Sequence, residues 1–399
     1  MQRCKTDGQS TNNQGVVNED RISELPEALI LQILSLLPTK VLVTTSVLSK
    51  QWQPHWKKLP KLRFDSYKDK IDVLKWIETL LGIAFTRNVR KLVLEVHKSL
   101  FRFPGCLYNI DTLETLKLKY MVFMDVPSLV CLKSLRTLHL LDVEFKNNES
   151  LLNLLSGCPN LQNLVVRHII RIVKPFTIAM SSLQRLSIYN CDGEGLDYVI
   201  NAPSLKYLKI EGFNALKSCM IENVPELVEA NIINFSTIID EKLMGSLTSA
   251  KHLSLALSLT LKSFTESLFN QLIYLELFTN EKEWWNLLTL MLGKSPKLQV
   301  LKLIDHTGWR NRIVARGEWN KPKNVPECLL LHLETYIWKG YKWQREEERE
   351  VAKYILKNAN RLKRVTFSSK YICSEDRLVV VKDLKSVLKA TDSCQFQFD

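Results

Sequence analysis

The sequence repeats one short pattern ten times between Val89 and Asp305, and this repeat constrains the fold more than any other feature. In each copy apolar residues alternate with varied ones, which predicts a short β-strand whose leucines face a core. Successive copies start about 22 to 26 residues apart. The copies are VRKLVLEV (from Val89), LETLKLKY (Leu113), LRTLHLLD (Leu135), LQNLVVRH (Leu161), LQRLSIYN (Leu183), LKYLKIEG (Leu205), LVEANIIN (Leu227), AKHLSLAL (Ala250), LIYLELFT (Leu272) and LQVLKLID (Leu298). Ten copies in register predict a solenoid, in which each repeat packs on its neighbours.

The interval between copies is typical of leucine-rich repeats, which have about 20 to 29 residues each. We therefore predict an α/β fold in which parallel strands line the concave face of a horseshoe. Alternate strand residues would point out from this face and are candidates for binding a target protein, because charges mixed with aromatic residues are typical of protein interfaces. These candidates are Lys117, Lys119, His139, Arg167, Arg185, Tyr189, Tyr207, Lys209, Tyr274 and Phe278.

The C-terminal part of the chain, from about Trp309, is predicted to extend and cap the array. Apolar residues at helical spacing predict a helix over residues 346–359, with Val351, Ile355 and Leu356 as its buried stripe. Two further strand-like copies flank it, LETYIWKG from Leu333 and LKRVTFSS from Leu362. A strand–helix–strand unit here would close the open edge of the solenoid.

Residues 20–60 have a different pattern, with apolar residues at helical spacing. DRISELPEALILQILSLLP predicts a helix that begins after Ser23 and ends at Pro38. The segment TKVLVTTSVLSKQWQPHW predicts further short helical elements, in which Trp52 and Trp56 lie on one face. About forty residues are close to the lower size limit for an independent core. We therefore predict that this unit docks on another surface, either in this chain or in another protein.

Composition limits the partners and the compartment. The formal net charge is +13, but basic residues are spread along the whole chain, so nucleic acid is not expected as a partner. Nine cysteines without a CxxC pair predict free thiols in a reducing compartment. The first twenty residues contain no apolar segment, and no later stretch reaches membrane-spanning length without charges. We expect an intracellular protein, in the nucleus, the cytoplasm or both, with no membrane partner.

The sequence lacks the motifs of catalysis. Its seven histidines are scattered without metal-ligand spacing, and it has no phosphate-binding loop, dinucleotide fingerprint or nucleophile elbow. Cys158 and Cys191 fall at repeat turns, where cysteine serves as a small buried residue. We therefore expect no enzymatic activity, no cofactor and no metal.

Residues 20–60 resemble the F-box of plant F-box proteins almost position for position. The resemblance is carried by Arg21-Ile22-Ser23-x-Leu25-Pro26, by Ile33-Leu34-x-x-Leu37-Pro38-Thr39-Lys40, and by Ser46-Val47-Leu48-Ser49-Lys50-x-Trp52 with Trp56. It implies a three-helix motif that binds a Skp-type adaptor, which in turn joins a cullin and a RING subunit. The residues that the resemblance implies in adaptor binding are Leu25, Pro26, Leu29, Ile33, Leu34, Leu37, Pro38, Val47, Leu48, Ser49, Trp52 and Trp56.

The C-terminal part resembles the FBD domain of the same plant proteins. The matching residues include Trp319-x-x-Pro322, Val325-Pro326-x-Cys328-Leu329 and Trp338-x-Gly340-Tyr341. Together with the repeats, the two resemblances imply a plant F-box/FBD/LRR-repeat protein. We expect a polar leader over residues 1–19, the F-box over 20–66, the repeats over 67–306 and the FBD domain over 307–399.

The resemblance implies the substrate-recognition subunit of an SCF-type (Skp-cullin-F-box) E3 ubiquitin ligase, which is not itself catalytic. The F-box would bind the adaptor, and the concave face would bind a target protein for ubiquitination. One alternative is a protein-interaction scaffold outside any ligase. The F-box would then be weakened, because Gln51 and Gln53 replace the usual arginines and Pro54 interrupts a helix. Another alternative is a receptor that holds its target through a small molecule over a basic floor.

Overall fold

The computed structural model describes residues 25–37, 41–42, 61–65, 89–169, 176–190, 198–212, 219–235, 241–257, 268–279, 284–305, 319–369, 372, 374–389 and 394–399. One parallel sheet of 14 strands runs through these residues. In spatial order its strands are β1 (Lys61–Asp65), β2 (Lys91–Arg102), β3 (Thr115–Met124), β4 (Thr137–Phe145), β5 (Asn163–Arg167), β7 (Arg185–Asn190), β9 (Tyr207–Gly212), β11 (Glu229–Phe235), β12 (His252–Leu257), β13 (Tyr274–Phe278), β14 (Val300–Ile304), β15 (Thr335–Lys339), β16 (Arg364–Ser368) and β17 (Gln395–Phe398).

The predicted strands are all present. The ten repeat copies form β2, β3, β4, β5, β7, β9, β11, β12, β13 and β14, and the two copies after Trp309 form β15 and β16. Each strand begins two residues after the start of its copy and pairs in register with the next, so that Leu118 aligns with Leu140 and Leu140 with Val166. These aligned side chains are fully buried. Because every repeat contributes the same positions, they form one continuous apolar core along the array.

The opposite side of the core is built from varied elements. Three short strands, β6 (Phe176–Ala179), β8 (Tyr198–Asn201) and β10 (Cys219–Asn223), form a second parallel sheet. Helices occupy this side elsewhere, namely α2 (Asn148–Ser156), α3 (Glu241–Ser246), α4 (Trp284–Lys294) and α5 (Glu327–Leu331). Asn147 caps α2, where its side chain accepts a hydrogen bond from the backbone N–H of Ser150 at 2.9 Å. The fold is therefore α/β, as the repeat pattern predicts.

The C-terminal elements close one end of the core around aromatic side chains. The predicted helix is α6 (Glu346–Asn358), and its stripe of Val351, Ile355 and Leu356 is buried. It is followed in the chain by β16 and by α7 (Ser374–Ser386), and β17 forms the edge of the sheet. The rings packed here include Trp284, Trp338, Tyr336, Tyr341, Phe367 and Phe398, and neighbouring centroids lie 5.0 to 6.3 Å apart. This end of the array thus adds a cluster of aromatic rings to the aliphatic core.

The N-terminal part contains α1 (Glu27–Ser35), which begins immediately after Pro26. Ile30 and Leu34 of this helix are buried, whereas Leu29 and Ile33 are 46% and 44% exposed. Leu34 was expected to contact an adaptor, but its side chain is part of the core, so this expectation is corrected. The expected contacts at Pro38, Val47, Leu48, Ser49, Trp52 and Trp56, and the helix start at Ser23, lie outside the described residues.

Candidate interaction surfaces

Strands paired in register align their outward side chains into rows across the sheet, and we call the face that carries these rows the ladder face. Its central row is Lys117, His139, Val165, Ser187, Lys209, Asn231, Ser254, Glu276 and Lys302. Three of the predicted target-binding residues lie in this row, namely Lys117, His139 and Lys209. The row two residues earlier along the strands contains Arg185, Tyr207 and Tyr274. The row two residues later contains Lys119, Arg167, Tyr189 and Phe278. The structure therefore brings all ten onto one face.

Three of the predicted cations on the ladder face are already paired with carboxylates. Lys119 Nζ lies 3.1 Å from Glu95 Oε1. Arg167 Nε donates to Asp142 Oδ2 at 3.0 Å, and the bond raises the pKa of the guanidinium. Lys209 Nζ lies 2.9 Å from Glu211 Oε2. These side chains are thereby oriented and largely neutralised before any partner arrives.

Two further lysines, Lys91 and Lys117, lack such compensation from the described part of the chain, and they lie beside a histidine that is neutral at pH 7. Lys117 lies beside Lys91 and Lys119, and burial together with these two charges lowers its pKa. His139 is adjacent to Lys117 on the next strand, and its pKa is lowered to about 4, first by burial and then by Lys117, Lys119 and Lys91. Among the residues that the structure describes, neither Lys91 nor Lys117 has an acidic group within ion-pair distance. Positive charge that is available to a partner is therefore concentrated on β2 to β4.

The tyrosines of the ladder face are held in place by neighbouring cations and rings. The Arg185 guanidinium lies 4.6 Å from the centre of the Tyr207 ring, and Lys209 Nζ lies 4.9 Å from the centre of the Tyr189 ring. Tyr274 packs edge to face on His252 with centroids 5.8 Å apart. Ordered aromatic side chains of this kind lose little entropy when a partner binds them.

On strands β11 to β13 the ladder face contains a cavity of about 410 Å³. The cavity is lined by Glu229, Asn231, His252, Leu253, Ser254, Tyr274 and Glu276. Glu276 accepts a hydrogen bond from the Tyr274 hydroxyl at 3.0 Å and lies 2.6 Å from Lys302 Nζ. Asn231 donates to Glu229 at 3.1 Å. The carboxylates of this cavity are therefore already engaged with neighbouring side chains.

Phe278 differs from the expectation. It lies on the ladder face, but its side chain is only 8% exposed, because it packs in a small separate cluster with Ala256 and Ile304. Pairing in register brings these residues together from three adjacent strands. The prediction that Phe278 is presented to a target is corrected accordingly.

Sequence reasoning missed Lys91 as a member of the face, although its position in VRKLVLEV equals that of Thr115 in the next copy. Aligning the first two copies would have identified Lys91 from this equivalence. The compensating carboxylates Glu95 and Asp142 were also missed.

The F-box segment offers a separate apolar surface. On α1, Leu29 and Ile33 are one turn apart and both are exposed, while Pro26 immediately before the helix is exposed as well. Leu25 and Leu37 are partly buried against the core. Two exposed branched apolar side chains on one helix face are suited to contact a helix of another protein.

The described residues show no metal site, and two of their thiols are buried. None of them form a group of three or more histidine, cysteine, aspartate or glutamate side chains that could hold an ion. Cys158 and Cys328 are buried, and burial raises the pKa of each thiol to about 12. Of the described helices, none combines the length and the hydropathy that crossing a bilayer requires.

Comparison with known proteins identifies three parts of the chain. Residues 22–64 match the family model of the F-box domain. Residues 77–227 match the model described as "FBD-associated F-box protein At5g56370, LRR repeats", and residues 321–367 match the FBD model.

Relatives from Arabidopsis thaliana match along almost the whole chain. The FBD-associated F-box protein named At1g55030 is 59% identical over 97% of this chain and 100% of its own length. The F-box/FBD/LRR-repeat protein At3g26920 is 49% identical over 100% of this chain and 99% of its own length. FBD-associated F-box protein At3g52670 is 46% identical over 97% of this chain and 99% of its own length. The chain belongs to the plant F-box/FBD/LRR-repeat proteins.

Proposed function

We propose that this F-box protein is the substrate-recognition subunit of an SCF-type E3 ubiquitin ligase, acting in the nucleus, the cytoplasm or both. The observation that supports this most is the F-box match over residues 22–64 together with the exposed Leu29 and Ile33 on α1. We further propose the divisions 20–66, 67–306 and 307–399 for the F-box, the repeats and the FBD domain. In this proposal the F-box binds a Skp-type adaptor, and through it a cullin and a RING subunit.

The proposed role requires no chemistry from this chain. The ladder face holds a target protein while the adaptor assembly brings the ubiquitin-loaded enzyme close to it. Tethering both on one scaffold raises their effective concentration, so attack by a target lysine becomes close to an intramolecular reaction. The catalytic groups belong to other subunits.

The adaptor contact is tested by charging the exposed face of α1. Leu29→Glu combined with Ile33→Glu places two carboxylates where an apolar interface would form, and burying unpaired charge is costly. We expect at least about a tenfold loss of affinity for a plant Skp-type adaptor, which corresponds to ~1.4 kcal/mol. The measurement is binding of the purified full chain to a panel of such adaptors by calorimetry.

The matched control is Leu129→Glu, because Leu129 is 82% exposed and lies between β3 and β4, far along the chain from the F-box. This variant should bind the adaptor like the wild type. Equal losses in both variants, or no adaptor binding by the wild type, would contradict the proposal.

The scaffold alternative rests on Gln51, Gln53 and Pro54, which depart from the usual F-box pattern. If these residues have weakened the F-box, then Gln51→Arg, Gln53→Arg and Pro54→Ala together should strengthen adaptor binding strongly. If the F-box is functional as it stands, the triple variant should bind about as well as the wild type. The same calorimetric panel distinguishes the two cases.

A further inference from the structure

The positive charge on β2 to β4 forms a compact site. Lys117 and His139 are direct neighbours in the central row, and Lys91 lies one strand away in the row before it. In that row Lys91 pairs with Lys61 on β1 and with Thr115 on β3, and Thr137 follows on β4, so that two hydroxyl groups also belong to the ladder face here. Adjacent strands are about 4.8 Å apart, so the three strands that carry the two lysines, the histidine and the two threonines span only about 10 Å across the sheet.

These groups repel one another in the free protein. Burial and the surrounding lysines make protonation of His139 unfavourable, and the same causes weaken the proton affinity of Lys117. The groups that face His139 are Lys117 and Lys119 on β3 and Lys91 on β2, whereas Val165 is its neighbour on β5. Lys119 is engaged by Glu95. An anion at this site would relieve the repulsion, and the other described residues supply none.

Resting on the function proposed above, we propose that Lys91, Lys117 and His139 bind a phosphorylated serine or threonine in an extended segment of the target protein. A phosphoryl group carries close to two negative charges and three acceptor oxygens at neutral pH. Those oxygens match donors that converge from three strands, whereas a carboxylate offers only two. Arg185 lies further along the same face over Tyr207, and it can receive an acidic residue elsewhere in the segment.

The site also predicts how affinity changes with pH. His139 is neutral at pH 7 in the free protein, and a bound dianion raises its pKa, so binding takes up a proton. The affinity of the wild type for a phosphopeptide, relative to that of His139→Gln, should therefore increase as pH falls from about 7.5 to about 6.5. The phosphoryl group loses charge near pH 6 and acts in the opposite direction. His139→Gln removes the proton uptake by the histidine and leaves the titration of the phosphoryl group unchanged. This variant should therefore not show the histidine-dependent increase of phosphopeptide affinity at lower pH.

The experiment uses the full chain bound to its Skp-type adaptor and a degenerate peptide library in phosphorylated and unphosphorylated forms. We expect enrichment of phosphoserine or phosphothreonine peptides, one of which is then synthesised for anisotropy measurements. Lys91→Gln with Lys117→Gln should weaken its binding by about tenfold or more, because each lysine forms a charge-assisted hydrogen bond. The control is Lys206→Gln with Lys297→Gln, which removes the same charge from exposed positions outside the strands and should change little.

Three results would overturn the inference. The library could show no preference for phosphorylated peptides, the two double variants could weaken binding equally, or inorganic phosphate could bind at Lys117 while no phosphopeptide does. Adaptor binding is measured separately on every variant. If the wild type binds an adaptor but no phosphopeptide, only this inference is contradicted, whereas failure of the wild type to bind any adaptor contradicts the proposed function.

Discussion

At the scale of single residues, burial controls the proton affinity of Glu348 in α6. Its carboxylate accepts a hydrogen bond from the backbone N–H of Lys342 at 2.8 Å and lies 3.2 Å from Arg345 Nη1, yet only 1% of the residue is exposed. Burial outweighs these favourable contacts and raises the pKa from 4.5 to about 7. The folded protein therefore retains a proton on Glu348 that the unfolded chain releases between these values.

This difference predicts the pH dependence of stability. As pH rises from about 4.5 to 7, the unfolded state gives up the proton first, so the free energy of unfolding decreases. Glu348→Gln removes that contribution and should lose less stability between pH 5 and pH 7.5 than the wild type, by on the order of 2 kcal/mol. Urea unfolding of both proteins at several pH values measures this difference in the free energy of unfolding. Glu346→Gln at the exposed start of α6 is the control, and an unchanged slope in Glu348→Gln would refute the argument.

At the scale of elements, the turn after β15 depends on Gly340. Its φ is +78°, and a Cβ atom built there would lie 2.7 Å from the backbone oxygen of Asp305. Its N–H donates to the carbonyl of Ser368 on the neighbouring turn at 2.8 Å. Gly340 also separates Trp338 from Tyr341, whose rings pack 5.0 Å apart. Only glycine adopts this conformation at low cost while leaving room for Asp305.

Gly340→Ala should lower the free energy of unfolding by about 1 to 3 kcal/mol, because it combines left-handed backbone strain with a steric clash. Gly293→Ala in α4 is the matched control, since no atom lies within 4 Å of a Cβ built there and alanine favours helix. The control should be neutral or slightly more stable in the same thermal or urea unfolding. Equal behaviour of the two variants would show that the turn tolerates a side chain.

At the scale of the whole molecule, contacts between β-strands of the large sheet join each repeat to its immediate neighbours. One apolar core runs from Ile30 in the F-box segment to Phe398 in β17. In such an array stability is approximately a sum of repeat and interface contributions, so a local defect should destabilise nearby repeats most.

Phe367→Ala tests this expectation at the aromatic end. Phe367 is fully buried and contacts the rings of Tyr336, Trp338 and Phe398, so its truncation should cost about 3 to 5 kcal/mol. Hydrogen–deuterium exchange should accelerate in β15 to β17 and remain close to wild type in β3. Phe145→Ala at the buried end of β4 provides the reciprocal control, with faster exchange in β3 to β5. Uniform acceleration in either variant would mean that the array unfolds as one cooperative unit.

The sequence by itself determined where twelve of the fourteen strands of the large sheet lie, because alternation of leucines is a local property that each copy repeats. The strands β1 and β17 lie outside the copies and were not predicted. It also determined which side chains share the ladder face, and the F-box and FBD motifs indicated the family. It did not reveal the second sheet, since β6, β8 and β10 are short and lie outside the repeated pattern.

Only the tertiary structure decided which charged side chains of the ladder face are left without a neighbouring opposite charge and can bind a partner. Lys119 and its partner Glu95 are 24 residues apart, and Arg167 and Asp142 are 25 residues apart, so each pair joins neighbouring repeats. Whether such groups meet depends on the pairing register between strands of neighbouring repeats. The alternation of residues within one copy does not specify that register. The same is true of Phe278, which is buried by residues from the strands on either side. The positive charge of Lys91 and Lys117 that the described residues leave uncompensated, beside the neutral His139, is thus a product of stacking, although each residue is visible in the sequence.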